Sequence, residues 1–442
     1  MSEKKFMAEK QLKRSLSFID GIAIVVGAII GSGIFLKPGI DLGNAGSPFL
    51  GLMAWLVGGI VTLASALTIA EIGSAIPRTG GVYVYLEELF GDVWGFLFGW
   101  VQTVITYPAS AGALAIAFAT FSTFFIPMTG IQQKMLAIGT VIFLVIMNMI
   151  ATKVGGVIQT VTTFAKLLPI AIIVAFGMIK GTAHDFGFIS TAHISVGIGT
   201  GFGVAILGTL WAYDGWMEAT NIAGELKDPA RQLPKALVIG VSTVVVVYML
   251  VNVALLNVMP FSAVVASKNP ASDLAVILFG TGAGAFIIAG IMISVFGAEN
   301  AYVMTGARIP LAMGERKQLP FPKVWASVHP KFRTPANALW LECGITIIYI
   351  LTGTFNTLTD ILIFVLWIFF IMGVFSIFIL RKHPSKYKAK YKVPLYPFVP
   401  IIGILGGIYI VFSTVIEQPM NALIGIVITL VGLPVFYYLK KK

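Results

Sequence analysis

The chain consists mainly of long apolar runs that are separated by short polar connections. A helix needs about 20 consecutive apolar residues to cross a bilayer, and twelve runs have close to this length. They lie at about 18–42, 49–76, 94–125, 134–151, 157–179, 197–222, 236–258, 281–306, 336–353, 358–380, 398–416 and 420–438. The pattern predicts an all-α integral membrane protein with twelve transmembrane helices and no soluble domain between them.

Small residues interrupt the first run at its centre, where residues 31–33 read GSG. Backbone that leaves a helix at membrane depth is tolerated only where it is buried in protein or lines a cavity. The sixth run is interrupted in a similar way at 211–216, which read WAYDGW. These runs begin two successive groups of five, and the odd number makes the second group enter from the opposite side. The sequence therefore predicts a 5+5 inverted repeat with discontinuous helices 1 and 6.

The two predicted repeats cover residues 18–180 and 197–380. Residues 1–17 are predicted to form a cytosolic tail without a cleavable signal peptide. Residues 381–442 are predicted to form a basic linker, helices 11 and 12 and a second cytosolic tail.

Composition agrees with a membrane protein, since 57% of residues are hydrophobic, 11% are charged and the mean hydropathy is +0.93. A soluble domain would carry about 25% charged residues. The net charge of +11 does not indicate nucleic acid, because most of the lysines and arginines fall in connections on the side of the N-terminus. Only four are assigned to the opposite side: Lys37, Lys134, Lys180 and Lys268. This asymmetry predicts the plasma (inner) membrane with both termini in the cytoplasm.

The residues that carry most enzyme and metal chemistry are scarce in this chain. The single cysteine, Cys343, excludes an intramolecular disulfide and a cysteine metal cluster. All four histidines fall in predicted loops. We therefore expect no cofactor, no metal site and no enzymatic activity.

Several segments together resemble one family of membrane proteins. They are 27–35 (GAIIGSGIF), 77–85 (PRTGGVYVY), 212–216 (AYDGW) with 224–234, and 294–297 (SVFG) with Asn300 and Arg308. The combination resembles the amino acid–polyamine–organocation (APC) superfamily. Lys166 within 164–169 (FAKLLP) looks like the fifth-helix lysine of its L-type amino acid transporter branch. The resemblance implies a LeuT-like fold and alternating-access transport, with bacterial alanine–serine–cysteine and serine–threonine exchangers as relatives.

An amino acid zwitterion needs donors for its carboxylate and acceptors for its ammonium, because burying either charge unpaired is costly. The half-helix after the first break offers free amides and a positive dipole end to the carboxylate, and the Ser32 hydroxyl adds a donor. Free carbonyls of Ala28, Ile29, Trp211 and Asp214 suit the ammonium. The predicted substrate site comprises Ala28, Ile29, Gly31, Ser32, Gly33, Trp211, Ala212 and Asp214. A plainer interpretation of the glycines is close packing of helices.

Three aromatic or acidic positions of the sixth run have alternative roles. The resemblance implies that Trp211 is a gate or a side-chain wall of the site, and the alternative is an ordinary packing tryptophan. Asp214 and Glu218 are candidates for binding a cationic side chain or a proton. Each can equally cap the broken helix, which is the favoured interpretation for Asp214.

Lys166 is a cation about ten residues from either end of its run, too deep to reach the interface easily. Intramembrane charges are functional by default. We expect its ammonium to replace a sodium ion beside the first break, with Tyr248 as a hydrogen-bond partner. The alternative is a lysine that extends to the membrane surface. Glu299 and Glu342 are further intramembrane carboxylates that are either structurally paired or proton carriers.

Five charged residues near the predicted cytosolic ends of helices form a possible inner gate of ion pairs. They are Glu71, Arg78, Glu225, Lys227 and Arg231. Solvated loop charges are the competing interpretation.

The leading functional hypothesis is a sodium-independent exchanger of small neutral L-amino acids: alanine, serine, cysteine, threonine and glycine. The alternatives are a proton-coupled symporter, an antiporter of cationic amino acids or polyamines, and, from another class, a channel or a nutrient sensor. Membrane lipids are expected neighbours and nucleic acid is not. Animal L-type transporters attach a heavy subunit through an extracellular cysteine, whereas Cys343 falls within a predicted span, so no obligatory heavy subunit is expected.

Overall fold

The computed structural model describes residues 18–76, 81–150, 166–188, 200–217, 220, 226–332 and 334–441. These residues fold into helices and include no β-strand. Among them, eight helices are long and apolar enough to cross a membrane, or nine if one bent pair is counted as a single span. The prediction of an all-α membrane protein is therefore confirmed, while the number of crossings stays a prediction.

The first half of the chain contains nine α-helices within the described residues. They are α1 Phe18–Ile29, α2 Gly33–Ala45, α3 Pro48–Ala75, α4 Gly81–Phe90, α5 Asp92–Val101, α6 Tyr107–Ser122, α7 Gly130–Ile150, α8 Leu167–Lys180 and α9 Thr200–Ala212. A π-helical turn, Gln102–Thr106, joins α5 to α6.

The second half of the described chain continues with shorter connecting helices between long ones. The helices are α10 Pro229–Val258, α11 Phe261–Ala266, α12 Pro270–Gly306, α13 Arg308–Glu315, α14 Pro322–Trp325, α15 Ala336–Thr352, α16 Phe355–Lys382, α17 Phe398–Glu417 and α18 Pro419–Lys440.

The first predicted break is present in the structure. α1 and α2 form one apolar span that bends by 48°. The interruption lies at residues 30–32, where Gly31 and Ser32, followed by Gly33 at the start of α2, give little support to a helix. α9 also ends at Ala212, so the segment 213–217 leaves the helix where the sequence predicts it.

Local signals explain several other helix boundaries. The Ser47 side chain accepts a hydrogen bond from the Leu50 amide at 3.2 Å and starts α3, with Pro48 in the first turn. Thr354 and Thr357 cap the start of α16 reciprocally. Two differences from the sequence prediction are α4, which forms inside the connection after the second run, and Lys37, which is 1% exposed within α2.

The broken helices lie at the centre of the packed bundle. α2 packs against α9, and α10 packs against both α1 and α3. The largest fully buried side chains include Trp55, Tyr213, Trp216 and Tyr248, which lie close to the two breaks. The packing thus surrounds the interrupted backbone with protein, as a membrane interior requires.

Candidate functional site

The two helix breaks contact each other directly. A Cβ atom added to Gly33 would lie 2.5 Å from the Cα of Ala212. Gly215 has a φ of 97°, and a Cβ atom there would lie 2.5 Å from the Ala28 carbonyl oxygen. Both approaches are too close for any side chain, so these glycines let backbone meet backbone. The structure therefore brings the predicted residues of the first and sixth runs together.

The beginning of α2 supplies hydrogen-bond donors at this contact. The helix begins at Gly33, and the first amides of a helix have no acceptor within it. Ser32 precedes it with 1% exposure, and its hydroxyl has no hydrogen-bond partner among the described residues. The partial positive charge of the helix N-terminus adds to these donors. This end of the site suits an anionic group.

The backbone around the end of α1 presents carbonyl oxygens, and the Lys166 ammonium donates hydrogen bonds to two of them. The Lys166 ammonium donates to the Ile30 carbonyl at 3.0 Å and to the Gly27 carbonyl. Lys166 is only 2% exposed. A buried ammonium requires acceptors, and the broken helix requires donors, so each satisfies the other.

Tyr248 of α10 connects the two breaks through its hydroxyl. The hydroxyl oxygen lies 3.1 Å from the Ile29 carbonyl oxygen and 3.0 Å from that of Ala212. A tyrosine hydroxyl has one proton and can donate to only one of them at a time. Tyr248 therefore has two alternative acceptors, one on each broken helix.

Trp211 covers the contact on the side of α16. Its ring meets the ring of Phe355 edge-on, with centroids 6.2 Å apart. Trp211 is 6% exposed, and its indole N–H has no acceptor among the described residues. The aromatic pair closes the site toward the beginning of α16.

Asp214 lies on the other side of the break, beside a small cavity. Its amide donates to the Trp211 carbonyl at 3.2 Å, and its carboxylate accepts from the Tyr302 hydroxyl at 3.3 Å. The cavity measures about 30 Å³, enough for about two water molecules. Gln102 and Thr106 of the π-helical turn also line it. Sequence reasoning missed these two residues, although their polarity within an apolar run was a usable signal.

Comparison with known proteins agrees with this geometry. The family model described as "Amino acid permease" matches residues 16–433. The chain is 43% identical over 98% of both sequences to the serine/threonine exchanger SteT of Bacillus subtilis. The chain belongs to the amino acid permease family.

More distant relatives of this permease occur in animals. The b(0,+)-type amino acid transporter 1 of Mus musculus is 31% identical over 97% of the permease and 88% of the relative. The large neutral amino acids transporter small subunit 2 of the same organism is 30% identical over 96% and 81%. The resemblance to the APC superfamily and its L-type branch is thereby confirmed. The permease is a multi-pass membrane transporter of amino acids rather than an enzyme.

Of the charged residues predicted at the inner gate of the permease, Glu71 is paired with a residue outside the predicted set. Glu71 forms a bidentate ion pair with Arg381 of α16, at 2.7 and 2.9 Å, and also accepts from the Val393 amide at 2.6 Å. Arg381 was not identified from the sequence, because 310 residues separate the pair. Burial, with a smaller contribution from the Glu71 carboxylate, raises the pKa of nearby Tyr391 to about 12.

Of the remaining residues of that predicted gate, Lys227 and Arg231 are described, and neither is paired with Glu71. Lys227 is exposed, and the Arg231 guanidinium lies 3.9 Å from Asp228 on the surface. Arg78 and Glu225 lie outside the described residues, as does Glu218 of the sixth run.

Two further intramembrane carboxylates of the permease are buried in the bundle. Glu299 of α12 is 0% exposed, and Glu342 of α15 is 4% exposed. The Glu342 carboxylate occupies the space beside Gly306, where a Cβ atom would overlap one of its oxygens. The described residues contain no group of three His, Cys, Asp or Glu side chains arranged to hold a metal ion.

Proposed function

We propose that this permease exchanges small neutral L-amino acids across the cell membrane by alternating access, without sodium. Serine and threonine are the first substrates to test, because the Bacillus subtilis relative that is 43% identical is named for their exchange. Alanine, cysteine and glycine are of similar size and complete the proposed class.

The chemistry of the two breaks supports an amino acid as ligand. The substrate carboxylate would bind the amides of Gly31, Ser32 and Gly33 and the unpartnered Ser32 hydroxyl. The substrate ammonium would bind carbonyls at Ala28, Ile29, Trp211 and Asp214. Trp211 would act as the gate, since it covers the contact between the breaks.

The proposed sodium independence is supported by the two hydrogen bonds that Lys166 donates at the end of α1. Its ammonium lies on the carbonyls of Gly27 and Ile30, which are the kind of oxygen ligand that a sodium ion uses. A permanent side-chain cation at that position would leave no need for a bound ion. Tyr248 would then couple substrate binding to helix movement by changing between its two acceptors.

We infer the remaining architecture from the same features. The apolar helices are consistent with twelve crossings, arranged as a LeuT-like 5+5 inverted repeat followed by two additional helices. Both termini would lie in the cytoplasm. The only cysteine, Cys343, is 1% exposed within α15 and is not accessible for a disulfide to a second subunit. The protein would therefore act without a heavy subunit.

The test is uptake of radiolabelled serine into proteoliposomes that are either empty or preloaded with threonine. We expect strong uptake only into preloaded vesicles, with the same rate when choline replaces sodium. Equal uptake into empty vesicles under an inward proton gradient would instead establish a symporter. Competition by arginine or putrescine would move the substrate class to cationic compounds.

A further inference from the structure

A second buried charged cluster lies far from the Glu71–Arg381 ion pair. It contains Lys37 and Asp41 of α2 and Asp360 of α16. Asp360 and Arg381 are 21 residues apart on the same helix, which corresponds to about 30 Å. In the proposed topology this cluster lies toward the outside of the membrane.

Lys37 forms an ion pair that joins α2 to α16. Its ammonium lies 3.1 Å from one carboxylate oxygen of Asp360, and the Gln418 side chain donates to the other at 3.1 Å. The ammonium also lies 5.5 Å from the centre of the Phe355 ring, which contacts Trp211. The ion pair therefore closes the same side of the site that Trp211 covers.

Asp41 is a second carboxyl group within reach of this lysine. It is 0% exposed, and neither of its carboxyl oxygens has a hydrogen-bond partner among the described residues. It lies against α9, where a Cβ atom on Gly208 would overlap one of its carboxyl oxygens. A buried carboxyl group without a hydrogen-bond partner destabilises a protein. The Lys37–Asp360 ion pair does not explain why Asp41 occupies this position.

The spacing of Lys37 and Asp41 supplies a reason. The two residues are four apart on one helix, so their side chains lie on neighbouring positions of the same face. Asp360 belongs to a different helix. Lys37 thus has one partner that moves with it and one that does not.

We propose that Lys37 exchanges Asp360 for Asp41 when α2 separates from α16 to open the site on this side. This ion-pair exchange rests on the proposed alternating-access function. Breaking a buried ion pair is costly because the remaining charge is left unpaired. Transfer to Asp41 keeps the ammonium paired in both conformations, so the barrier between them is lowered.

The test measures how accessible α2 is from outside in membrane vesicles. Ile34, one turn before Lys37 and 0% exposed, is replaced by cysteine in a Cys343→Ala background, and a membrane-impermeant maleimide is added. Asp360→Asn removes the partner of the closed state, so we expect a several-fold faster labelling rate. Asp41→Asn removes the partner of the open state, so we expect a several-fold slower rate.

Two further variants separate this mechanism from a structural role. In a Lys37→Met background, Asp41→Asn should have no additional effect, because the shared cation is gone. Gly208→Ala forces the Asp41 carboxyl away from α9 and should increase labelling, which tests the idea even if Asp41→Asn fails to fold. Asp273→Asn, a change of an exposed carboxylate on the same side, is the matched control.

The proposal is overturned if Asp41→Asn leaves the labelling rate unchanged or shifts it in the same direction as Asp360→Asn. Labelling does not depend on transport, so the result is independent of serine exchange. Opposite shifts in a protein that fails to exchange serine would support the ion-pair exchange and refute the proposed function. Normal serine exchange, together with labelling rates that Asp41→Asn and Asp360→Asn shift in the same direction, would support the proposed function and refute the ion-pair exchange.

Discussion

Lys166 is the residue on which the broken first helix depends most directly. Its two hydrogen bonds go to carbonyls of Gly27 and Ile30 that the break leaves without helical donors. We expect Lys166→Met to lower serine exchange at least about tenfold, because a hydrogen bond to a charged group contributes about 1.5–3 kcal/mol. The measurement is the initial rate of exchange in preloaded proteoliposomes.

The matched control for this change is Lys180→Met. Lys166 directly precedes α8, whereas Lys180 ends it and is exposed, with its ammonium 5.4 Å from the Phe176 ring centre. Exchange should stay close to that of the unmodified protein. If both variants lose the same activity, the effect would belong to α8 as a whole and not to the bonds with α1.

Tyr248 is expected to contribute through its hydroxyl alone. Tyr248→Phe keeps the ring and removes one hydrogen bond, worth about 0.5–1.5 kcal/mol, so exchange should fall by up to about tenfold. Tyr349→Phe removes a similar bond, 2.9 Å to the Val104 carbonyl, that does not involve α1 or α9. Equal losses of exchange in the two variants, measured side by side, would show that Tyr248 has no special role.

At the level of secondary structure, the contact between α2 and α9 is a steric requirement. Gly33→Ala would put a methyl group 2.5 Å from the Cα of Ala212, a backbone atom that cannot move alone. Overpacking of this kind costs about 1–3 kcal/mol and would separate the two breaks. We expect serine exchange to fall at least about tenfold while the protein still folds.

Two other glycines test whether the loss of serine exchange comes from steric overlap at Gly33 or from replacing any helical glycine with alanine. A Cβ atom at Gly31 would lie 4.0 Å from its nearest neighbours, and at Gly139 of α7 it would meet nothing within 4 Å. Gly31→Ala keeps its amide and should reduce exchange less than Gly33→Ala does. Gly139→Ala should have no effect, and a loss there as large as at Gly33 would contradict the steric argument.

Most of the helices could be predicted from the sequence, because the length of an apolar run and the positions of small residues within it are local signals. The break at 31–33 and the end of α9 at Ala212 follow from residues that support a helix poorly. The π-helical turn Gln102–Thr106 has no comparable signal, since its residues also fit an α-helix. Lys37 was assigned to the outside by counting charges, and only its tertiary partner Asp360, 323 residues away, explains its burial.

At the scale of the whole molecule, long-range ion pairs connect helices that lie far apart in the chain. Lys37–Asp360 joins α2 to α16 near one end, and Glu71–Arg381 joins α3 to α16 near the other. Each end of α16 is thus held to another helix, α2 or α3, by an ion pair. Sequence alone indicates that such charges exist, but the choice of partner depends on packing between distant segments.

The Glu71–Arg381 pair should therefore contribute strongly to the stability of the folded protein. Arg381→Ala would leave a carboxylate that is 2% exposed without its cation, at a cost of about 3 kcal/mol. We expect the unfolding temperature in detergent to fall by several degrees. Lys386→Ala is the control, because Lys386 lies 3.8 Å from Glu88 with 63% of its side chain exposed, and exposed pairs contribute little. Since the Val393 amide also donates to Glu71, Glu71→Gln should destabilise less than Arg381→Ala, and the reverse order would show that the carboxylate does not depend on Arg381.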